Sequence, residues 1–127
     1  MYFFRNSRLT GALPSVNFNS KSLARLYFYE CSFNENLPVE WADIVTDDNN
    51  RNLSIRVHGN DLGGYVDPAI ANIQVNGSGR SWNQLQMLGG NDFGVTYDSN
   101  GDPIFENSDL EDLVAALAIN HPNLTIT

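Results

Sequence analysis

The fold is decided by one stretch of the chain, Ser22-Leu23-Ala24-Arg25-Leu26-Tyr27-Phe28-Tyr29-Glu30-Cys31-Ser32-Phe33-Asn34-Glu35-Asn36-Leu37-Pro38. Its apolar side chains follow neither the period of a helix nor the strict alternation of a half-buried strand. They fall at Leu23, Leu26, Phe28, Cys31, Phe33 and Leu37, and a proline follows. A short pattern of this kind is informative only if it recurs along the chain.

The pattern does recur, and each copy is called a unit below. The first unit has matching residues at Tyr2, Phe4, Ser7, Leu9, Gly11, Leu13 and Pro14, and the third at Ile55, Val57, Asn60, Leu62, Gly64 and Val66. In the fourth, Leu88, Asn91, Phe93 and Val95 match the second half, whereas Trp82, Leu85 and Met87 match the first half one residue earlier. We therefore expect a bulge between Met87 and Asn91, and a fifth strand starting at Leu124 and Ile126.

These units resemble the leucine-rich repeat, whose frame is L-x-x-L-x-L-x-x-N/C-x-L. The plant-type frame continues with x-G-x-[IL]-P, which Leu9-Thr10-Gly11-Ala12-Leu13-Pro14 matches closely. The resemblance implies an α/β fold in a single domain over residues 1–127. It would be a short solenoid of about four units and a partial fifth, with a concave parallel sheet and short convex helices.

Alternation along each strand predicts which side chains face the core. Inward positions are predicted for Tyr2, Phe4, Leu26, Phe28, Ile55 and Val57. Solvent-facing positions are predicted for Phe3, Arg5, Arg25, Tyr27, Tyr29, Ser54, Arg56 and His58. One further position recurs at intervals of 24, 29 and 31 residues, and we expect its side chains to satisfy backbone groups at a sharp turn. This structural ladder consists of Ser7, Cys31, Asn60 and Asn91, with Cys31 as a buried thiol.

The segments between strands predict three helices and one hairpin. Pro38–Val45 and Pro68–Ile73 are expected to be short helices, and Ser15–Lys21 an irregular return. Asp109–Asn120 is the one long helix, with Ser108 and Glu111 forming a capping box. Asn100-Gly101, flanked by alternating residues from Val95 to Phe105, predicts a β-hairpin inserted before that helix.

Composition excludes several classes of function. The net charge is −8 and the pI is about 4.4, which argues against nucleic acid or an anionic membrane surface as a partner. No apolar run is long enough to span a bilayer, so no membrane insertion is expected. The single cysteine, Cys31, excludes an internal disulfide framework and a cysteine zinc cluster.

Catalytic and metal-binding signatures are weak. Asp98, Asn100, Asp102 and Asp109 have the spacing of a calcium loop, but Pro103 stands where that loop requires glycine, so we expect the hairpin instead. The two histidines have no nucleophile or metal ligand at a recognisable spacing. We therefore expect no enzyme activity, no metal and no cofactor.

The solvent-facing strand residues are the best functional candidates. Tyrosine and arginine dominate the energetics of protein interfaces, although β-propensity alone also places aromatics on strands. The candidate ligand-binding residues on the concave face are Phe3, Arg5, Tyr27, Tyr29, Arg56 and His58. The resemblance implies a non-catalytic module that binds another protein on this face. A glycan-binding surface and a structural spacer within a larger cell-surface protein remain as alternatives.

The context of the chain is also predicted. The plant-type resemblance implies an extracellular or cell-surface location, where the sequons at Asn52, Asn76 and Asn123 could carry glycans. Because the chain opens within a unit, we expect it to be a fragment of a longer protein. In isolation, its first strand, Tyr2–Arg5, is expected to pair with a second copy as a two-fold homodimer.

Overall fold

The protein has a mixed α/β structure built around a parallel sheet. The computed structural model describes residues 2–14, 23–46 and 51–127, so the predicted return Ser15–Lys21 lies outside it. The strands are β1 (Tyr2–Phe4), β2 (Thr10–Gly11), β3 (Arg25–Tyr29), β4 (Ser32–Phe33), β5 (Val45–Thr46), β6 (Leu53–Arg56), β7 (Gln74–Val75), β8 (Trp82–Gln86), β9 (Val95–Tyr97), β10 (Pro103–Phe105) and β11 (Thr125–Ile126). The described helices are two 3-10 helices, η1 (Val39–Asp43) and η2 (Pro68–Asn72), and one α-helix, α1 (Ser108–Asn120).

Strands from successive units lie side by side in chain order. The main sheet has five parallel strands in the order β1-β3-β6-β8-β11. Two smaller parallel pairs, β2 with β4 and β5 with β7, join equivalent segments of neighbouring units. The expected fifth strand is confirmed, because β11 pairs with β8.

The core lies between the main sheet and the row of helices. On the sheet side, Leu26, Phe28, Ile55 and Val57 are fully buried, which confirms the predicted orientation of the second and third units. On the other side, η1 packs against η2 and η2 against α1. Trp41 and Trp82 are the largest buried side chains, and each indole N–H donates to a backbone carbonyl, that of Pro14 at 3.0 Å and that of Gln84 at 2.9 Å. Burial of these polar groups is therefore compensated.

The predicted register of the first unit is wrong by one residue. β1 pairs with β3 as Tyr2 with Tyr27, Phe3 with Phe28 and Phe4 with Tyr29. Phe3 therefore lies on the core face, stacked on buried Phe28 with ring centroids 5.6 Å apart, whereas Tyr2 and Phe4 lie on the open face. A shift of one residue moves every side chain of a strand to the other face.

An extra residue between β1 and Leu9 explains this error. The N–H of Arg5 donates to the carbonyl of Tyr29, and the N–H of Glu30 donates to the carbonyl of His58, so Arg5 and Glu30 occupy equivalent positions in their units. Counted from the strand, the next residues, Asn6 and Cys31, are therefore also equivalent. Counted back from Leu9, which accepts a hydrogen bond from the Ser32 N–H, the equivalent residue would be Ser7. Ser7 is in fact exposed and stands outside the ladder, which is a correction to the prediction.

The bulge predicted in the fourth unit is confirmed. The N–H of Val57 donates to the carbonyl of Gln86, and the N–H of Gly59 donates to the carbonyl of Gly89. The two donors are two residues apart in the third unit, whereas the two acceptors are three residues apart in the fourth. One additional residue is thus accommodated between Gln86 and Gly89. A second irregularity, which the sequence did not predict, separates Leu53 and Ser54 in the pairing of β6 with β8.

The helices are shorter or capped differently than expected. Pro38 precedes η1 as its N-cap, whereas Pro68 is the first residue of η2. The predicted capping box of α1 is wrong, because the Asn107 side chain accepts from the N–H groups of Asp109 and Leu110 and Ser108 lies inside the helix. Among the described residues, no helix is both long and apolar enough to cross a membrane.

The predicted hairpin before α1 is confirmed. β9 and β10 pair antiparallel, with Tyr97 opposite Pro103. Gly101 adopts a φ of 84° in the connecting turn, which explains the need for glycine there. The Asp98 carboxylate accepts from the N–H groups of Asn100 and Asp102 at 2.8 and 3.0 Å and so holds the turn from within.

Candidate functional site

The open face of the main sheet carries a continuous group of aromatic and cationic side chains. We call it the aromatic face, and it consists of Tyr2, Phe4, Tyr27, Tyr29, Arg56 and His58. Each strand contributes alternate residues, and the parallel register places equivalent residues of neighbouring strands side by side. The result is two columns that run across β1, β3 and β6.

The first column is a stack of three rings. Tyr29 lies between Phe4 and His58, with ring centroids 5.3 Å and 4.8 Å away and interplanar angles of 9° in both cases. Tyr29 is half-buried and Phe4 is 49% exposed. Stacked aromatic pairs contribute about 0.5–1.5 kcal/mol beyond burial, so this column is fixed before any ligand arrives.

The second column combines aromatic and polar contacts. Tyr2 meets Tyr27 edge to face at 5.2 Å, and the Arg56 guanidinium lies 4.6 Å from the Tyr27 ring centroid. Arg56 also donates through Nε and one terminal nitrogen to the Gln84 side-chain oxygen, both at 3.1 Å. Ser54 donates to the same oxygen at 2.9 Å. These contacts hold Arg56 flat on the face, as a bidentate or stacking contact with a ligand requires.

Two further arginines, Arg5 and Arg25, lie beside the columns and are exposed to solvent. Arg5 pairs with Glu30 at 2.8 Å, and this hydrogen bond raises the pKa of Arg5 above its ordinary value. A terminal nitrogen of Arg25 donates to the Tyr2 hydroxyl at 3.0 Å, which raises the pKa of Arg25. Arg5 thus lies at the carboxyl end of β1 and is oriented by Glu30 instead of by the aromatic rings.

The pKa of His58 on the aromatic face is lowered below its ordinary value. Burial is the main cause, Glu30 opposes it, and Arg56 lowers the pKa further. The Nδ1 atom is buried with no hydrogen-bond partner in the described part of the chain. A charged imidazolium would be costly at this position, so the ring stacks on Tyr29 as a neutral aromatic group at neutral pH.

The structure brings together four of the six predicted site residues, namely Tyr27, Tyr29, Arg56 and His58. Phe3 is turned to the core and Arg5 lies at the rim. The sequence reasoning missed Tyr2, Phe4 and the polar pair Ser54 and Gln84. The sequence held one indication that Tyr2 and Phe4 lie on the open face. Asn6 offers the amide that Asn60 and Asn91 supply in later units, and a ladder started from Asn6 gives the observed register.

The ladder beneath the carboxyl ends of the strands is otherwise as predicted. The Asn60 amide donates to the carbonyls of Phe28 and Val57, and the Asn91 amide donates to those of Val57 and Met87. In the same position, the buried Cys31 thiol lies 3.8 Å from the Phe3 carbonyl. Each ladder residue therefore ties its own turn to the preceding unit.

A cavity of about 550 Å³ adjoins the aromatic face at the carboxyl ends of the strands. Its walls come from the strand ends, the tip of the hairpin and the last residues of the chain, including His58, Leu88, Tyr97, Pro103 and Ile126. Its volume lies in the range of ligand pockets, and its mainly apolar lining suits large apolar side chains or rings. His58 belongs to both the cavity and the aromatic face, so the two are continuous.

Within residues 2–14, 23–46 and 51–127, no group of three or more His, Cys, Asp or Glu side chains is arranged to hold a metal ion. The Asp98 carboxylate, which belonged to the calcium-like spacing, bonds two backbone N–H groups instead.

Comparisons with protein-family models, with curated proteins and with solved structures found no match to this chain.

Proposed function

We propose that this chain is a leucine-rich-repeat solenoid that binds another protein through its aromatic face, without catalysis. The observation that carries the proposal is the stack of Phe4, Tyr29 and His58 on the open side of the sheet. Aromatic and arginine side chains are over-represented among the residues that dominate interface energetics. Here they are ordered by contacts with one another, so little side-chain entropy is lost on binding.

Arg56 gives the proposed interface its chemical preference. Its guanidinium is fixed over Tyr27 and by Gln84, in a protein whose net charge is −8. A carboxylate of the partner would meet Arg56, and an aromatic or aliphatic side chain would enter the adjoining cavity beside His58. We therefore expect partner segments that combine an acidic residue with a large apolar one.

Selection of a random peptide phage library on the immobilised chain tests this proposal. Selected peptides should lose affinity by more than about tenfold on Tyr29→Ala or Arg56→Ala, the loss typical of an interface hot spot. Tyr65→Ala is the matched control, since Tyr65 is 50% exposed but lies outside the aromatic face. Peptides that bind equally well to both face variants, but not to Tyr65→Ala, would place recognition elsewhere.

The alternatives give different outcomes in parallel assays. A glycan-binding surface predicts hits on a glycan array that Tyr27→Ala and Tyr29→Ala abolish, because sugars stack on aromatic rings. A structural spacer predicts no ligand for the face in either assay. An extracellular or cell-surface location belongs to the same proposal and rests on the family resemblance.

A further inference from the structure

The charges of this chain are separated along its length. The first four charged residues, Arg5, Arg8, Lys21 and Arg25, are all cationic. After Arg80 there is no further lysine or arginine, and seven carboxylates follow at Asp92, Asp98, Asp102, Glu106, Asp109, Glu111 and Asp112. Because the main sheet adds its strands in chain order, this asymmetry in sequence becomes an asymmetry in space.

The first end of the molecule, called the head, is cationic and apolar. Its edge strand β1 pairs with β3 on one side, and Tyr2, Phe3 and Phe4 are 52%, 44% and 49% exposed. Arg5 and Arg8 are exposed beside them. A sheet edge also presents backbone N–H and C=O groups that can pair with another strand.

The opposite end, called the tail, is acidic and apolar. It consists of β11, the outer surface of α1 and the hairpin. Ile119 on α1 is 80% exposed, and Tyr97 and Ile104 on the hairpin are 55% and 50% exposed. Among these apolar side chains lie the exposed carboxylates Asp98, Asp102, Glu106, Glu111 and Asp112.

We propose that copies of this chain associate head to tail, with the cationic edge at β1 against the acidic end at β11 and α1. Charge complementarity favours this pairing, since opposite potentials meet across it. All strands of the main sheet are parallel, so β11 of one copy and β1 of the next can extend the sheet without reversing its direction. A two-fold dimer through β1 would instead oppose Arg5 and Arg8 to their own copies. Head-to-tail contacts form a closed ring where the rotation between copies closes, and an open row where it does not.

Sedimentation velocity on the full chain tests the wild type first. Its average mass should rise with protein concentration at low salt, and it should fall towards that of the monomer above about 0.3 M salt, where screening acts within a few ångströms. A monomer at every concentration and salt level would overturn the proposal.

Two charge-reversal variants then distinguish head-to-tail association from a two-fold dimer. The head variant is Arg5→Glu with Arg8→Glu, and the tail variant is Glu111→Lys with Asp112→Lys. Each variant alone should weaken association at least tenfold. Their equimolar mixture should associate again, because the intact tail of the head variant meets the intact head of the tail variant and the two reversed surfaces are also opposite in charge. Association of the tail variant alone at wild-type strength would refute the proposal, and a simultaneous loss in the head variant would indicate pairing through β1.

Controls separate these effects from folding and from net charge. Glu35→Lys with Glu40→Lys makes the same charge change as the tail variant at exposed residues of the second unit and should associate like the wild type. Ile119→Lys is a second tail variant at a side chain that is 80% exposed, so its fold should be retained. If Ile119→Lys stays folded by circular dichroism and associates like the wild type, the tail surface is wrongly assigned.

Discussion

Replacement of Asn60 by alanine tests whether the ladder ties neighbouring units together. Asn60 is 2% exposed, and its amide nitrogen donates to the carbonyls of Phe28 at 2.6 Å and Val57 at 2.9 Å. Its side-chain oxygen accepts from the N–H of Phe33 at 3.3 Å. Asn60→Ala removes these three hydrogen bonds and a longer one to the His58 carbonyl at 3.4 Å, which keeps the Glu30 N–H as a donor.

The expected cost follows from counting the backbone groups left without partners. The Val57 carbonyl keeps a second donor, the Asn91 amide, at 2.9 Å. The Phe28 carbonyl and the Phe33 N–H lose the side-chain partner, and a buried unsatisfied group costs about 1–3 kcal/mol. Because the bond to Phe33 is long, we expect a loss of about 3 kcal/mol in the free energy of unfolding. A domain stable by about 5–15 kcal/mol would remain folded.

Urea denaturation followed by circular dichroism and tryptophan fluorescence measures this loss. The midpoint should fall while the m-value stays unchanged, since the surface exposed on unfolding is nearly the same. Cys31→Ala is the control in the same ladder. Its thiol is a weak donor 3.4 and 3.8 Å from two carbonyls, so its removal should cost about 1 kcal/mol. A cost of less than about 1 kcal/mol for Asn60→Ala, or one no greater than that of Cys31→Ala, would show that the ladder amides do not tie neighbouring units together.

Three further predictions use the same stability assay. Asn107→Ala should cost about 1 kcal/mol as the N-cap of α1 and Ser108→Ala only a few tenths, an order that a capping box at Ser108 would reverse. Gly90→Ala and Gly101→Ala, at φ of 69° and 84°, should each cost about 1–2 kcal/mol for the left-handed backbone. Gly90→Ala should cost clearly more than Gly101→Ala, because a Cβ at Gly90 would lie 2.9 Å from the backbone of the preceding unit, whereas a Cβ at Gly101 would meet open space. Equal costs would contradict that packing. Since the pKa of His58 is lowered in the folded protein, the unfolded chain binds more protons between that pKa and about 6.5, so stability should fall as the pH drops through this range. His58→Phe should flatten this part of the pH profile, and an unchanged slope would assign it to other groups.

Much of the architecture could be predicted from local pattern. The spacing around Leu26 and Phe28 recurs along the chain, and the resemblance of this recurring pattern to the leucine-rich repeat implied parallel strands. Alternation along the strands then predicted the inward residues of the second and third units. The Asn100-Gly101 turn predicted the hairpin. The fourth-unit bulge followed from two halves of one pattern that were out of phase by one residue. In each case the signal lay within one unit or in the spacing between adjacent units.

The composition of the candidate site was only partly predictable. Tyr27, Tyr29, Arg56 and His58 were correctly assigned to one face because their strands were in the right register. Phe3 was assigned to that face because the first unit was aligned from Leu9. The loop before Leu9 holds one extra residue, and the Asn6 amide was the one sequence feature that indicated it.

The sequence by itself determined the repeating strands, the ladder amides and the separation of charge along the chain, because these are local or compositional properties. Only the tertiary structure decided the register between units, and with it that Tyr2 and Phe4 complete the aromatic face. That register depends on the hydrogen bond from the Arg5 N–H to the Tyr29 carbonyl and on the packing of Phe3 against Phe28. Both contacts join residues far apart in sequence, and a pattern read within one unit remains consistent with a slip of one residue.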